Sequence, residues 1–203
     1  MNKPGKCFIV LLFCIGISMP VWSSTTCDSV KDIDFRKLDV DTERVAICNS
    51  ILKLSQPCID SACIQLLNLI KSDTVSGLAK ATAAYLLAQF DYAPAIPEMI
   101  KHMHDAPLIP DELTMFDKPI MACEYAGALM YIPAAKEPLI AHLNECHDYY
   151  ELWITSIVVW SNTGWKKKQV KKCLKKQSRR APEHLKEGYK TLIKSIDNWT
   201  ETT

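Results

Sequence analysis

Apolar residues recur along this chain at helical spacing, as in Val45, Cys48, Ile51 and Leu52, and again in Ala83, Leu86, Leu87 and Phe90. Strict alternation of apolar and polar residues is nearly absent, glycine is scarce and prolines fall at segment borders. That pattern predicts an all-α protein. Helices are expected at about 42–54, 58–71, 76–90, 94–104, 118–131, 134–146, 149–162, 165–177 and 182–199. Pro182 followed by Glu183 suits a first helical turn, where a missing N–H costs nothing and a carboxylate faces the positive helix end. The last segment carries Leu185, Tyr189, Leu192, Ile193, Ile196 and Trp199 on one face, as expected of a cap on an open helical stack.

The opening residues break the helical pattern. Lys3 and Lys6 precede an apolar run from Cys7 to Met19, then Pro20 and Val21-Trp22-Ser23. The run is too short to span a bilayer, and Val21 and Ser23 stand where a signal peptidase needs small residues. A signal peptide over residues 1–23 is therefore expected, with a periplasmic or secreted mature protein. Residues 24–41 read as an N-terminal extended segment and 42–203 as one helical-repeat domain. No later segment is long and apolar enough to cross a membrane.

A shift of 40 residues lays Thr82–Met103 on Ala122–Leu143, pairing Tyr85 with Tyr125, Ala88 with Ala128, Ala95 with Ala135, Ile100 with Ile140 and His102 with His142. Each copy reads as helix, short turn, helix. Units of this size cannot bury an apolar face alone and must stack. The predicted architecture is a right-handed stack of helical hairpins: a short α-solenoid of about four helix pairs plus a C-terminal capping helix.

Ala84-Tyr85-Leu86-Leu87-Ala88-Gln89-Phe90, the turn Asp91-Tyr92-Ala93-Pro94, and Ala95-Ile96-Pro97-Glu98-Met99-Ile100 carry a resemblance to the HEAT-type helical repeat family, including its bilin-lyase-like subgroup. Tyr125–Leu129 and Ala134–Ile140 repeat it more loosely. The chain departs from that pattern at Tyr131-Ile132-Pro133, which lacks the usual turn Asp or Gly, and in the long linker from Asp105 to Asp117. The resemblance implies a protein-binding scaffold and supplies no catalytic residues.

Charge adds an asymmetry. Residues 24–151 hold 19 acidic and 10 basic side chains, and residues 152–203 hold 4 acidic and 12 basic. Much of the positive charge lies on one amphipathic helix, where Val170, Cys173 and Leu174 face inward. Lys167, Lys168, Lys171, Lys172, Lys175, Lys176 and Arg179 form the candidate interaction face, against the alternative of a merely solvated surface. Such a face suits an acidic protein or an anionic surface; no aromatic residues interleave the lysines to stack bases, so nucleic acid is not expected.

Removal of the signal leaves seven cysteines. In an oxidising compartment Cys27, Cys48, Cys58, Cys63, Cys146 and Cys173 are the disulfide candidates, with Cys123 left unpaired inside an apolar helical face. His102, His104, His142 and His147, with Asp105, Cys146 and Asp148 nearby, are the residues a metal would use. No short motif fixes their geometry, and helix-end histidines favoured by the dipole are the simpler reading. No metal or cofactor is assigned. GxSxG, HExxH, P-loop and dinucleotide signatures are absent, and Ser50-Ile51-Leu52-Lys53 lacks the α/β setting that Ser-x-x-Lys needs.

The sequence thus points to an exported, non-enzymatic, protein-binding module with no transmembrane segment after signal removal. An immunity protein blocking a toxin or wall hydrolase fits its size and acidic body. The alternatives are a metal-dependent enzyme using a His/Asp cluster between repeats, and an envelope protein held to anionic surfaces by its basic helix.

Overall fold

A computed structural model of the chain describes residues 27–105 and 119–199. The expected signal peptide and almost all of the Asp105–Asp117 linker lie outside the described residues. Within them the protein is entirely helical: α1 (Asp28–Lys31), α2 (Asp41–Leu52), α3 (Gln56–Lys71), α4 (Gly77–Gln89), α5 (Ile96–Asp105), α6 (Pro119–Leu129), α7 (Lys136–His142), α8 (Tyr149–Thr163), α9 (Lys167–Ser178) and α10 (Glu183–Ser195). None of these helices is long and apolar enough to cross a membrane.

Local chemistry sets several boundaries. The Ser76 hydroxyl accepts from the Ala79 N–H to start α4, and the Asp148 carboxylate does the same for Glu151 at the start of α8. Gly164 ends α8 in the left-handed region at φ 59°, where a side chain would be strained. The 40-residue repeat is visible in the backbone. Two 3-10 turns, Ala93–Ala95 and Pro133–Ala135, fall 40 positions apart, each leading directly into a second helix. Ala95 and Ala135 are both fully buried there.

The helices pack in two rows. α4 contacts α6, α6 contacts α8 and α8 contacts α10, while α3, α5 and α7 succeed one another beside them. The first row can pack closely because α4 and α6 bury alanines, among them Ala83, Ala84, Ala126 and Ala128. The largest core runs from Val30 to Val159. A second cluster joins Leu143, Leu152, Val170 and Leu174 to the face of α10, where Leu185, Tyr189 and Leu192 are fully buried, and to Ile196 in the 3-10 turn that follows, with Ile193 and Trp199 packed alongside.

Two expectations need correction. Residues 24–41 are not simply extended: α1 and the 3-10 turn Phe35–Asp39 lie within them, burying Val30, Phe35 and Leu38 against the core, and Cys27 is disulfide-bonded to Cys58 at a Cα–Cα distance of 5.3 Å. The segment is short and weakly periodic, so its folding depends on contacts made elsewhere. In α2, only Ile51 of the apolar stripe is buried, and Val45 and Leu52 are 68% and 49% exposed. Among the described residues α2 packs chiefly on the Phe35–Asp39 turn, with Ile47 and Cys48 against the main core.

Candidate functional site

Glu151 stands in the first turn of α8 and is fully buried. A lone carboxylate in such a place would be costly, so its partners decide its state. His104, at the end of α5, brings Nδ1 to 2.8 Å from Oε1. His142, at the end of α7, brings Nε2 to 2.7 Å from the same oxygen. The backbone N–H of His147 donates to Oε2 at 2.7 Å. An ionised carboxylate only accepts, so both imidazole nitrogens facing it carry protons. Burial pushes the Glu151 carboxyl up, but the donors from His142, the His147 backbone and His104 outweigh it and hold the group below its usual range.

The imidazoles also touch one another. The His104 and His147 rings stack with centroids 3.8 Å apart, and His104 meets His142 edge-on at 5.2 Å. His142 is buried, His104 has a quarter of its side chain exposed and His147 lies at the surface. The cluster therefore has a closed floor and an open mouth. Cys146 belongs to the floor: its Sγ donates to the His142 carbonyl at 3.4 Å, and burial together with Glu151 pushes its thiol far above the ordinary range.

Of the histidines singled out in the sequence, the structure gathers His104, His142 and His147 but not His102. The His102 ring stacks on Tyr125 at 5.2 Å and lies 3.4 Å from Glu98, so the repeat equivalents His102 and His142 have different partners. Burial and then Lys80 hold the His102 imidazole below its usual range. Asp105 is exposed at the end of α5, and Asp148 is engaged as the α8 N-cap. Glu151 itself was missed. Its only signal was an acidic residue three positions after Asp148, which reads as ordinary first-turn chemistry.

Four of the six disulfide candidates are free thiols: Cys48, Cys63, Cys146 and Cys173. Cys63 and Cys146 are buried in separate packing clusters, and Cys173 faces a groove. Cys123 is free as expected, but exposed and not buried in an apolar face.

The basic helix α9 lies beside α7 across a groove of about 1010 Å³. Ile140, Trp165 and Cys173 contribute its apolar lining; Lys168, Lys171, Lys172, Lys175, Lys176 and Arg179 line it from α9 and its C-terminus, and Lys136 from α7. Glu137 is the one acidic residue among the described residues that line it. Lys136 sits over the Trp165 ring at 5.1 Å, a cation–π contact that fixes the indole. Lys167 is turned away, donating to the Asp197 carbonyl at 3.0 Å, and Lys171 is paired with the Asp197 carboxylate at 2.5 Å. Lys168, Lys172, Lys175, Lys176 and Arg179 make no ion pair among the described residues. Comparison of the chain with protein-family models, curated proteins and solved structures gave no match.

Proposed function

We propose that the protein is a non-enzymatic helical-repeat module that binds another protein, and that the groove between α7 and α9 receives an acidic segment of that partner bearing apolar side chains. The observation that carries this reading is a cationic rim over an apolar lining, in which Lys171 is paired with Asp197 and Lys136 with Glu137 but Lys168, Lys172, Lys175, Lys176 and Arg179 make no ion pair among the described residues. A merely solvated basic helix offers lysines without a floor. Here Ile140 and Trp165 provide area for a buried anchor, and the rim provides charge complementarity and fast encounter. A flat anionic membrane would reach the rim but not the floor, which favours a peptide-like occupant.

The HEAT-type resemblance and an exported location agree with this reading. An immunity role is the form of it in which the partner is a toxin or wall hydrolase. The test is capture from an extract of the source cells by wild type, by Lys172→Glu/Lys176→Glu and by Trp165→Ala. A specific partner should be retained by wild type in a salt-sensitive way and bind each variant at least about tenfold more weakly. Equal recovery by all three, or binding only to anionic vesicles, would overturn the proposal.

A further inference from the structure

The groove makes no use of the cluster around Glu151, whose geometry has a chemistry of its own. His104, His147 and Glu151 each offer one donor atom, and those three atoms lie within 4.8 Å of one another. Three elements supply them: the last turn of α5, the turn before α8, and the first turn of α8. We propose that these three residues bind one divalent transition-metal ion of the zinc type, with His142 positioning the carboxylate.

The three donors lie near one another but are not yet set for an ion: the His104 and His147 rings, stacked at 3.8 Å, must turn so that both nitrogens face a common point. Metal bonds of about 2.0–2.1 Å in tetrahedral geometry put neighbouring donors about 3.3 Å apart. His104 Nδ1 and Glu151 Oε1 are 2.8 Å apart across a hydrogen bond. Opening that pair by about half an ångström makes room for an ion, and the Nδ1 proton of His104 is released to solvent or replaced by the Nε2–H tautomer as the metal bonds to Nδ1. Donor type narrows the choice: two imidazoles and one carboxylate suit zinc, cobalt, nickel or copper, whereas calcium and magnesium take oxygen ligands.

The surroundings have the arrangement that metal sites need beyond their ligands. His142 Nε2–H holds Glu151 Oε1 at 2.7 Å, and the His147 backbone N–H holds Oε2 at 2.7 Å, so the carboxylate is aimed before an ion arrives. The surface position of His147 gives an ion its way in. The neighbouring grouping of His142, Cys146 and Glu151 also has close donors, but it is wholly buried and would need an ionised thiol there. Three protein ligands leave a fourth position to water.

The experiment takes the purified protein, stripped with a chelator and dialysed. It is titrated with Zn²⁺ in a calorimeter and with Co²⁺ by visible absorption. One equivalent should bind, and Co²⁺ should show the intense bands of a low-coordinate site. His147→Ala and His104→Ala should each weaken Zn²⁺ binding at least tenfold, whereas His102→Ala, at the histidine that stacks on Tyr125 outside the cluster, should leave it unchanged. His147 is exposed, so its replacement keeps the test valid even where a Glu151 variant fails to fold. His142→Asn should weaken binding less than loss of a ligand does. Absence of stoichiometric binding, or wild-type affinity in both His104→Ala and His147→Ala, would overturn the proposal and leave the cluster as a structural hydrogen-bond network.

Discussion

Replacing Glu151 by alanine would leave the His142 N–H, the His104 N–H and the His147 backbone N–H facing a cavity. Hydrogen bonds to a charged acceptor contribute about 1.5–3 kcal/mol each, or about 5–9 kcal/mol for the three before the cost of dehydrating the carboxylate. That dehydration offsets several kcal/mol, so removing the acceptor should cost about 3–5 kcal/mol. For a domain of this size the melting temperature should fall by about 10 °C. Glu151→Gln keeps the shape and one acceptor oxygen, and should cost about half as much. Glu145 supplies the contrast: its carboxylate lies 3.4 Å from His142 Nδ1 but is 71% exposed, so Glu145→Ala should cost less than about 1 kcal/mol. Urea unfolding followed by circular dichroism, with a chelator present, measures all three. The folded Glu151 carboxyl is held below its ordinary value of 4.5, so its contribution is present above that pH and is lost as pH falls through the folded value. The gap between wild type and Glu151→Gln should therefore be full at neutral pH and narrow below pH 4.5. A Glu151→Ala cost under about 1 kcal/mol, or one equal to that of Glu145→Ala, would refute the reasoning.

Other consequences are local. A Cβ on Gly127 would fall under 3.0 Å from the Tyr85 hydroxyl, with the ring Cζ at 3.3 Å, so Gly127→Ala should destabilise by about 1–3 kcal/mol. Adding Tyr85→Phe should recover most of that loss in a double-mutant cycle, and purely additive costs would contradict the contact. Burial pushes the Tyr85 phenol up to about 12, so the stability it contributes is full below pH 10 and declines towards pH 12; alkaline unfolding of Tyr85→Phe should show less of that decline. Alkylation at pH 8 mapped by mass spectrometry should modify exposed Cys123 first. Buried Cys63, its thiol pushed up to about 11, and Cys146 should react only on unfolding.

Much of the fold was legible because helical periodicity is a local property. The nine expected helices correspond to α2–α10, and the 40-residue repeat reappears as the paired turns at Ala93–Ala95 and Pro133–Ala135. Phe35 and Leu38 were less legible, since a short 3-10 turn carries too few apolar positions to show a period. The cluster was half visible. His104, His142 and His147 attract notice by residue type, but the repeat alignment pairs His142 with His102, which instead stacks on Tyr125. Glu151 acquires its meaning only when the ends of α5 and α7 converge on α8, 47 positions from His104 and 9 from His142. Disulfide pairing was illegible for a similar reason: cysteine count and compartment say nothing about which helix faces the thiols share.

The two packing clusters meet at Trp153 and Trp165, which touch both. Trp160 and Trp199 lie on the C-terminal cluster, with ring centroids 5.0 Å apart. All four described tryptophans thus stand at the seam or beyond it, and the helices before α8 hold none of them. Intrinsic tryptophan emission is consequently a one-sided gauge. It registers the loosening of α8–α10 and is nearly silent on α1–α5, whereas circular dichroism weighs every helix. Superimposable unfolding curves from the two probes would mean that the halves melt as one body, and an earlier emission change would mean that the C-terminal end detaches first.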